Sequence, residues 1–252
     1  MTSLLEVFRL SKRFGGVAAV RDLSFTVEAG RITGLIGPNG AGKTTIFNLV
    51  TGFLPADSGT VRFAGENIIG IKPHRLVRRG MARSFQDMRL FGQMSVCDNV
   101  AMAVPNQMGE RIGAALFRFA TVRQERAATR ARAMELLGFV GMAHKAAALA
   151  DDLSYGQQKL VLIARLLALE PSLLLLDEPC SGLDPVMLDR VIRLLQALTE
   201  QSRTIVLIEH NMDVVRAVAD TVVFLAEGQA LASGPTEAIL ADPALTKIYF
   251  GM

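Results

Sequence analysis

Long uninterrupted apolar segments are missing from this sequence, although half of its 252 residues are hydrophobic and its mean hydropathy is +0.33. The most apolar run covers residues 160–176. Arg165, Glu170 and Pro171 interrupt it, which indicates a helix followed by a strand and not a membrane span. Charged residues also interrupt the N-terminal segment, so no signal peptide is expected. We therefore expect a globular chain.

Cysteine and histidine are scarce, with two cysteines and three histidines in the chain. Cys97 and Cys180 form no C-x-x-C pair and are far apart in sequence, which favours two reduced thiols in a cytosolic protein. His74, His144 and His210 lack the spacing of zinc ligands. The sequence therefore predicts neither a disulfide nor a zinc site.

A block of like charge is also missing, and the formal net charge is only +3, which argues against a nucleic-acid partner. The basic residues are densest where Glu125 and many alanines are interleaved with them. The arginines of this segment are Arg118, Arg123, Arg126, Arg130 and Arg132. We interpret the segment as a solvated helix face, with an anionic partner or lipid headgroups as the alternatives.

The most informative segment that is present is the glycine-rich loop at residues 37–45, which matches the pattern G-x-x-x-x-G-K-S/T. Its glycines allow backbone N–H groups to turn around phosphates, Lys43 supplies a positive charge, and the Thr44 hydroxyl can ligate Mg²⁺. A predicted strand at 31–36 precedes the loop and a predicted helix follows it. The residues expected to bind nucleotide triphosphate here are Gly37, Pro38, Asn39, Gly40, Ala41, Gly42, Lys43, Thr44 and Thr45.

A second informative segment is the leucine-rich run at 173–176, which ends in Asp177 and Glu178. Four leucines in a row predict a strand buried on both faces, as in a parallel sheet. An acid at the carboxyl end of such a strand is placed to hold Mg²⁺ opposite a phosphate-binding loop. We predict Asp177 as the magnesium anchor and Glu178 as the general base or polarising group for the attacking water.

Three other positions leave alternatives open when they are taken alone. Phe14 lies beside glycines and is either a platform for a purine or a core residue. Ser154, with Gln157 three residues later, is either an ordinary helix cap, which is favoured, or part of an anion-binding helix N-terminus. His210 follows a predicted strand and is either a γ-phosphate ligand or an ordinary polar residue.

The chain also divides by composition. Strand-like patterns fill the part up to residue 87, including an edge-like strand at 60–65, and return after residue 158. Residues 88–158 are rich in alanine, arginine and methionine, with a helical pattern. We predict a nucleotide-binding core from 1–87 and 159–252, with a helical subdomain at 88–158.

Taken in order, these motifs resemble the ATP-binding subunit of ABC transporters over nearly the whole chain. They comprise the glycine-rich loop, Gln86, the Leu-Ser-Tyr-Gly-Gln segment at 153–157, Asp177-Glu178, the Ser-Gly-Leu-Asp turn at 181–184, and His210. The resemblance implies an α/β fold, namely a RecA-like P-loop NTPase core with an N-terminal antiparallel β subdomain and an inserted α-helical subdomain.

The resemblance also implies roles for single residues. Phe14 becomes the adenine-stacking aromatic, Glu178 the catalytic carboxylate and His210 the γ-phosphate switch. Gln86 becomes the link between the γ-phosphate, Mg²⁺ and the helical subdomain, so that Thr44, Gln86 and Asp177 form the magnesium site. The family's signature corresponds to Leu153, Ser154, Tyr155, Gly156 and Gln157, and the loop that crosses the dimer interface to Ser181, Gly182, Leu183 and Asp184.

Tyr155 departs from the family pattern, which more often has a second glycine at this position. The departure bears only on the backbone conformation at Tyr155. In the family, two such chains stack head to tail around two ATP molecules. The signature of one chain contacts the nucleotide of the other, and closure acts on a membrane permease beside Gln86 and Phe91. The resemblance thus implies ATP and Mg²⁺ as cofactors, a second ATPase subunit, permease subunits, and an indirect solute-binding protein in the periplasm or outside the cell.

Within the family, four segments resemble the larger ATPase subunit of branched-chain amino acid importers. They lie at residues 13–16, 83–91, 153–158 and 208–212. This implies a peripheral location at the cytoplasmic face of the membrane. Alternatives are a urea or amide importer, a lipopolysaccharide or lipid exporter, and a soluble ABC ATPase bound to nucleic acid.

Overall fold

The computed structural model describes residues 2–84, 90–105 and 119–250, together with the side chains of these residues except those at 119–122 and 250. Its strands are β1 (Ser3–Phe14), β2 (Val17–Glu28), β3 (Ile32–Ile36), β4 (Ser58–Phe63), β5 (Glu66–Asn67), β6 (Met81–Arg83), β7 (Leu173–Asp177), β8 (Thr204–Ile208), β9 (Thr221–Ala226) and β10 (Gln229–Pro235). Its α-helices are α1 (Lys43–Val50), α2 (Pro73–Val77), α3 (Val96–Ala101), α4 (Phe119–Phe139), α5 (Tyr155–Leu167), α6 (Pro185–Glu200), α7 (Met212–Val218), α8 (Thr236–Leu240) and α9 (Pro243–Phe250).

The chain divides into two compact units. The first comprises residues 1–85, 171–181 and 188–252, and the second comprises 86–170 and 182–187. Among the residues that the structure describes, no helix combines the length and the apolar character needed to cross a membrane. The division expected from composition, a nucleotide-binding core at 1–87 and 159–252 and a helical subdomain at 88–158, stays a prediction.

The first unit contains a sheet with the strand order β10-β9-β3-β8-β7-β6 in the described part of the chain. The strands from β9 to β6 run parallel, and β10 pairs antiparallel with β9. Every residue of β3, β7 and β8 is buried, which explains their continuous apolar sequences. The buried strand predicted at the leucine run is therefore confirmed.

The same unit contains an antiparallel sheet with the order β2-β1-β4-β5. Its strands β1 and β2 each span 12 residues and carry both buried apolar and exposed polar side chains. The edge position expected for β4 is wrong, since β4 pairs with β1 on one side and with the two-residue β5 on the other. Buried side chains of both sheets and of α1 form one hydrophobic core.

The second unit is helical in its described residues, with α3 packed against α4 and α5. Its buried side chains include Val100 of α3, Leu137 of α4 and Leu160 of α5. Arg123, Arg126 and Arg130 on α4 are exposed, as a solvated face requires. Arg132 of the same cluster is partly buried and pairs with Glu135 and Glu170, while Arg118 lies outside the described residues.

A fully buried amide, that of Asn99, joins α3 to the segment before it. Asn99 Oδ1 accepts the N–H of Phe91 at 2.8 Å, and Asn99 Nδ2 donates to the carbonyl oxygens of Phe91 at 3.0 Å and of Ser95 at 3.1 Å. The side chain thus ties the backbone of residues 91 and 95 to α3. It also fixes the backbone from which the half-exposed Phe91 ring projects.

We predict that Asn99→Ala lowers the free energy of unfolding by about 1–3 kcal/mol, because it removes a fully buried side chain and leaves the Phe91 N–H without its acceptor. Denaturation with urea, followed by circular dichroism, measures this change. Asn67→Ala is the matched control: this exposed side chain accepts the N–H of Ile69 at 3.1 Å, and its loss should cost less than about 1 kcal/mol. Equal losses for both variants would contradict the structural role given to Asn99.

Candidate nucleotide site

The glycine-rich loop connects β3 to α1 in the first unit. Gly42 is the N-cap of α1, has a φ of 95° and provides no side-chain cap for the first N–H groups of the helix. A Cβ atom at Gly42 would collide with the carbonyl oxygen of Ala19, and one at Gly37 with that of Leu225. The loop backbone therefore lies close to neighbouring strands, and it leaves a helix N-terminus that is suited to an anion.

Lys43 is buried in the first turn of α1, and its ammonium group turns back onto the loop. Nζ donates to the carbonyl oxygen of Gly37 at 2.6 Å and to that of Pro38 at 2.9 Å. Burial lowers the pKa of Lys43, while the nearby carboxylates of Glu178 and Asp177 act in the opposite direction. The amine thus lies between the loop and the acidic end of β7, where a bound phosphate would need a positive charge.

Asp177 ends β7 and is buried. Its backbone N–H donates to Ser84 Oγ at 2.9 Å, and its Oδ2 atom lies 3.7 Å from Arg83 Nη2. Burial is the largest influence on the pKa of Asp177 and raises it; Arg83 opposes this effect. Asp177 Oδ2 accepts no hydrogen bond from the residues that the structure describes.

Arg83 is a residue of this site that the sequence motifs did not indicate. It lies on β6, and its guanidinium also donates to Asn48 Oδ1 at 2.6 Å and lies 5.3 Å from the centre of the Phe47 ring. It therefore connects α1, which follows the loop, to the carboxylate of Asp177. This connection becomes apparent only from the strand order, in which β6 is the neighbour of β7.

Glu178 directly follows β7, and His210 is the second residue after β8. These strands are parallel neighbours in which Asp177 is paired with Ile208, so their following residues meet at one edge of the sheet. His210 Nε2 lies 3.0 Å from Glu178 Oε1, and both side chains are partly accessible to solvent. Glu178 also has a φ of 50°, which is rare for a residue with a side chain.

Phe14 is the last residue of β1 and is 46% exposed, so the core interpretation of this residue is wrong. The ammonium group of Lys12 lies 5.7 Å from the centre of its ring. Exposure leaves the ring available for stacking, but a purine at this position stays a prediction. Gln86, the predicted link to the γ-phosphate, lies outside the described residues.

The signature segment begins α5 in the second unit. Ser154 is the N-cap: its Oγ accepts the N–H of Gln157, and Gln157 Oε1 accepts the N–H of Ser154 at 3.0 Å. The favoured interpretation as a capping box is therefore confirmed. Leu153 is buried below this turn, whereas Ser154 and Tyr155 are exposed and accessible to a partner.

The loop at 182–187 belongs to the same unit as the signature and packs against it. A Cβ atom at Gly182 would lie 3.2 Å from Tyr155 Cε1, and one at Gly156 would lie 2.6 Å from Met187 Cγ. Asp184 Oδ1 accepts the N–H of Met187 at 2.9 Å and so stabilises the start of α6. Ser181 precedes this loop and belongs to the first unit, and Leu183 also faces Gly156.

The first unit thus combines a glycine-rich loop after β3, a buried acid at the end of the parallel strand β7, and a carboxylate–imidazole pair at the same sheet edge. These features define a P-loop nucleoside triphosphatase. A family model described as "ABC transporter" matches residues 20–181. The chain belongs to the ABC transporter family, as one of its ATP-binding and ATP-hydrolysing cassettes.

Curated relatives agree with this assignment. The chain is 38% identical over 249 residues to the high-affinity branched-chain amino acid transport ATP-binding protein BraF of Pseudomonas aeruginosa, which covers 98% of each chain. It is 35% identical to the corresponding protein LivG of Escherichia coli, again over 98% of each chain. The similarity therefore extends well beyond the nucleotide-binding motifs.

Solved structures are also similar to this chain over its whole length. A nucleotide-free ATP-binding cassette of an ABC transporter matches with a TM-score of 0.86 and 31% identity over 100% of both chains. An ABC transporter cassette in its ADP conformation matches with a TM-score of 0.84 and 29% identity, also over 100% of both chains.

We predict that Lys43→Ala weakens ATP binding at least about 10-fold, because a charge-assisted contact to phosphate contributes roughly 1.5–3 kcal/mol. Isothermal titration of the purified chain with ATP measures the dissociation constant. The exposed lysine Lys72, replaced by alanine, is the control and should bind as the parent does. Unchanged affinity in Lys43→Ala would contradict the role of this amine.

Proposed function

We propose that this chain is the ATP-hydrolysing subunit of an importer of branched-chain amino acids. The observation that carries the ATPase part is the Glu178–His210 pair at the edge of the sheet that also presents the phosphate-binding loop. The substrate part is supported by relatives named for branched-chain amino acid transport, which match almost the whole chain.

For the nucleotide, we propose that the loop from Gly37 to Thr45 surrounds the phosphates and that Phe14 stacks on adenine. The uncapped N–H groups at the start of α1 and the Lys43 amine supply positive charge where the phosphates would lie. Lys43 now donates to two loop carbonyls, and these contacts keep its amine inside the loop. Phosphate binding therefore needs little rearrangement of the side chain.

For Mg²⁺, we propose Thr44, Gln86 and Asp177 as the residues that hold the ion directly or through its water shell. The donor set fits, because carboxylate, hydroxyl and amide oxygens are the ligands that Mg²⁺ prefers. Asp177 adds a specific observation, since its buried Oδ2 accepts no hydrogen bond from the described residues. When bound, the ion would neutralise charge on the phosphates during transfer.

For hydrolysis, we propose that Glu178 accepts a proton from the attacking water while His210 orients the carboxylate. The 3.0 Å contact between them restricts the rotation of the Glu178 side chain. His210 Nε2 contacts Glu178 in the present conformation, and a γ-phosphate would compete for the same nitrogen. Exchange between these two partners gives the histidine a switch function that depends on the presence of the γ-phosphate.

For coupling, we propose that two ATPase subunits close around two nucleotides, with the signature residues 153–157 and the loop 181–184 facing the partner. Ser154 and Tyr155 of the signature turn are exposed, as such a contact requires. ATP binds the closed pair more tightly than the open pair, and hydrolysis removes this preference. The helical subdomain 88–158, with Gln86 before it, would transmit closure to a permease at the cytoplasmic face of the membrane.

We predict that Glu178→Gln reduces the turnover number at least about 100-fold, because the amide cannot accept the proton of water. ATP binding should stay within about 2-fold of the parent, since phosphate affinity depends on other groups. Phosphate release and equilibrium titration measure the two quantities. The exposed Glu200, replaced by glutamine, is the control; parental turnover in Glu178→Gln would show that another group is the base.

Uptake by living cells tests the transported solute. Deletion of the coding sequence should lower the initial uptake rate of radiolabelled leucine, isoleucine and valine, and the parent sequence should restore it, whereas Glu178→Gln should not. Urea uptake, measured in the same strains, should not change. A loss of urea uptake with normal leucine uptake would contradict the proposed solute and favour the urea alternative.

A further inference from the structure

Glu209 is a buried carboxylate for which the proposed mechanism has no role. It is 3% exposed and lies between the end of β8 and the switch residue His210. Burial of a carboxylate is unfavourable unless hydrogen bonds compensate for the lost water. Its contacts therefore indicate what the residue does.

Both oxygens of Glu209 accept backbone N–H groups, and these groups belong to different loops. Oε1 accepts the N–H of Cys180, in the loop after β7, at 2.8 Å. Oε2 accepts the N–H of His210, in the loop after β8, at 3.3 Å. One side chain thus joins the two loops that carry Glu178 and His210.

The loop after β7 needs such support because Glu178 has a φ of 50°. A residue with a side chain adopts this conformation only when the surrounding structure holds it there. Hydrogen bonds on several sides hold the strained position, and three of them are these: Glu178 N–H donates to Ile208 O at 2.9 Å, Ser181 N–H to Glu178 O at 3.3 Å, and Cys180 N–H to Glu209. Of these three, only the last uses a side chain.

The loop after β8 is held from a further direction by α9. Tyr249 Oη donates to the carbonyl oxygen of His210 at 3.0 Å, and its ring packs edge-on against Phe224. Burial, and then the negative charge of Glu209, raise the pKa of Tyr249, which is consistent with their proximity. The backbone of His210 is therefore bound on both its N–H and its carbonyl side.

We propose that Glu209 is a positioning residue for ATP hydrolysis: it ties the loop of Glu178 to the loop of His210 and so fixes the carboxylate–imidazole pair. The side chain acts through backbone groups, since its two oxygens accept the N–H groups of Cys180 and His210. The consequence for hydrolysis rests on the role proposed above for Glu178, whereas the tie between the loops does not.

Two variants of the full chain test this role. Glu209→Ala removes both acceptors, and Glu209→Gln keeps one carbonyl oxygen but directs an NH₂ group toward the other N–H. We expect the turnover number to fall about 10-fold to 100-fold in Glu209→Ala, because small displacements of catalytic groups have effects of this size. Glu209→Gln should lie between Glu209→Ala and the parent. The KM for ATP should stay within about 2-fold in both variants, and Glu200→Ala is the exposed control.

Hydrogen exchange of the nucleotide-free chain gives a second measurement that needs no catalysis. Peptides that contain Cys180 and His210 should exchange faster in Glu209→Ala, with smaller effects in Glu209→Gln and no change in the helical unit. Should Glu209→Ala fail to fold, the glutamine variant supplies both measurements.

Three results would overturn the proposal. They are parental turnover in Glu209→Ala, a loss of ATP affinity that equals the loss of turnover, or faster exchange throughout the chain with no preference for the two loops. Absence of ATP hydrolysis by the parent chain would instead count against the proposed function, and the exchange data would still decide whether Glu209 ties the loops together.

Discussion

The parallel pairing of β7 with β8 is the constraint on which the site depends. Asp177 is opposite Ile208 in this pairing, and β8 is in turn paired with β3, where Leu35 is opposite Ile208. The three loops that follow these strands therefore begin at one edge of the sheet. A shift of either strand by one residue would turn its side chains to the opposite face and separate the carboxylate from the imidazole.

The same edge concentrates buried charge, and the structure tolerates it because the charges compensate one another. Burial lowers the pKa of Lys43 and raises that of Asp177, so each group alone would tend toward its neutral form. The Asp177 carboxylate favours the charged form of Lys43, and Arg83 favours that of Asp177. The site is therefore a network, in which the removal of one member leaves an uncompensated charge on another.

Much of this arrangement was predictable from the sequence, but the contacts between neighbouring strands and loops were not. The strand before the glycine-rich loop and the leucine strand have local patterns, and the capping box at Ser154 has a local signature. Arg83 and Glu209 have none, because their partners lie on strands or loops that are distant in sequence and become neighbours only through the strand order. The exposure of Phe14 likewise depends on where the β1–β2 hairpin ends, which periodicity does not determine.

The tyrosine in the signature shows how the structure accommodates a departure from the family pattern. Tyr155 is the first residue of α5 and has no positive φ, so its backbone does not require glycine. Its ring projects from the helix, beside Gly182 and beneath the ammonium group of Lys159, 5.0 Å from the ring centre. At Gly156, in contrast, a Cβ atom would lie 2.6 Å from Met187 Cγ, so a side chain there would require Met187 to move. The packing of this helical turn thus admits a side chain at position 155 more readily than at position 156.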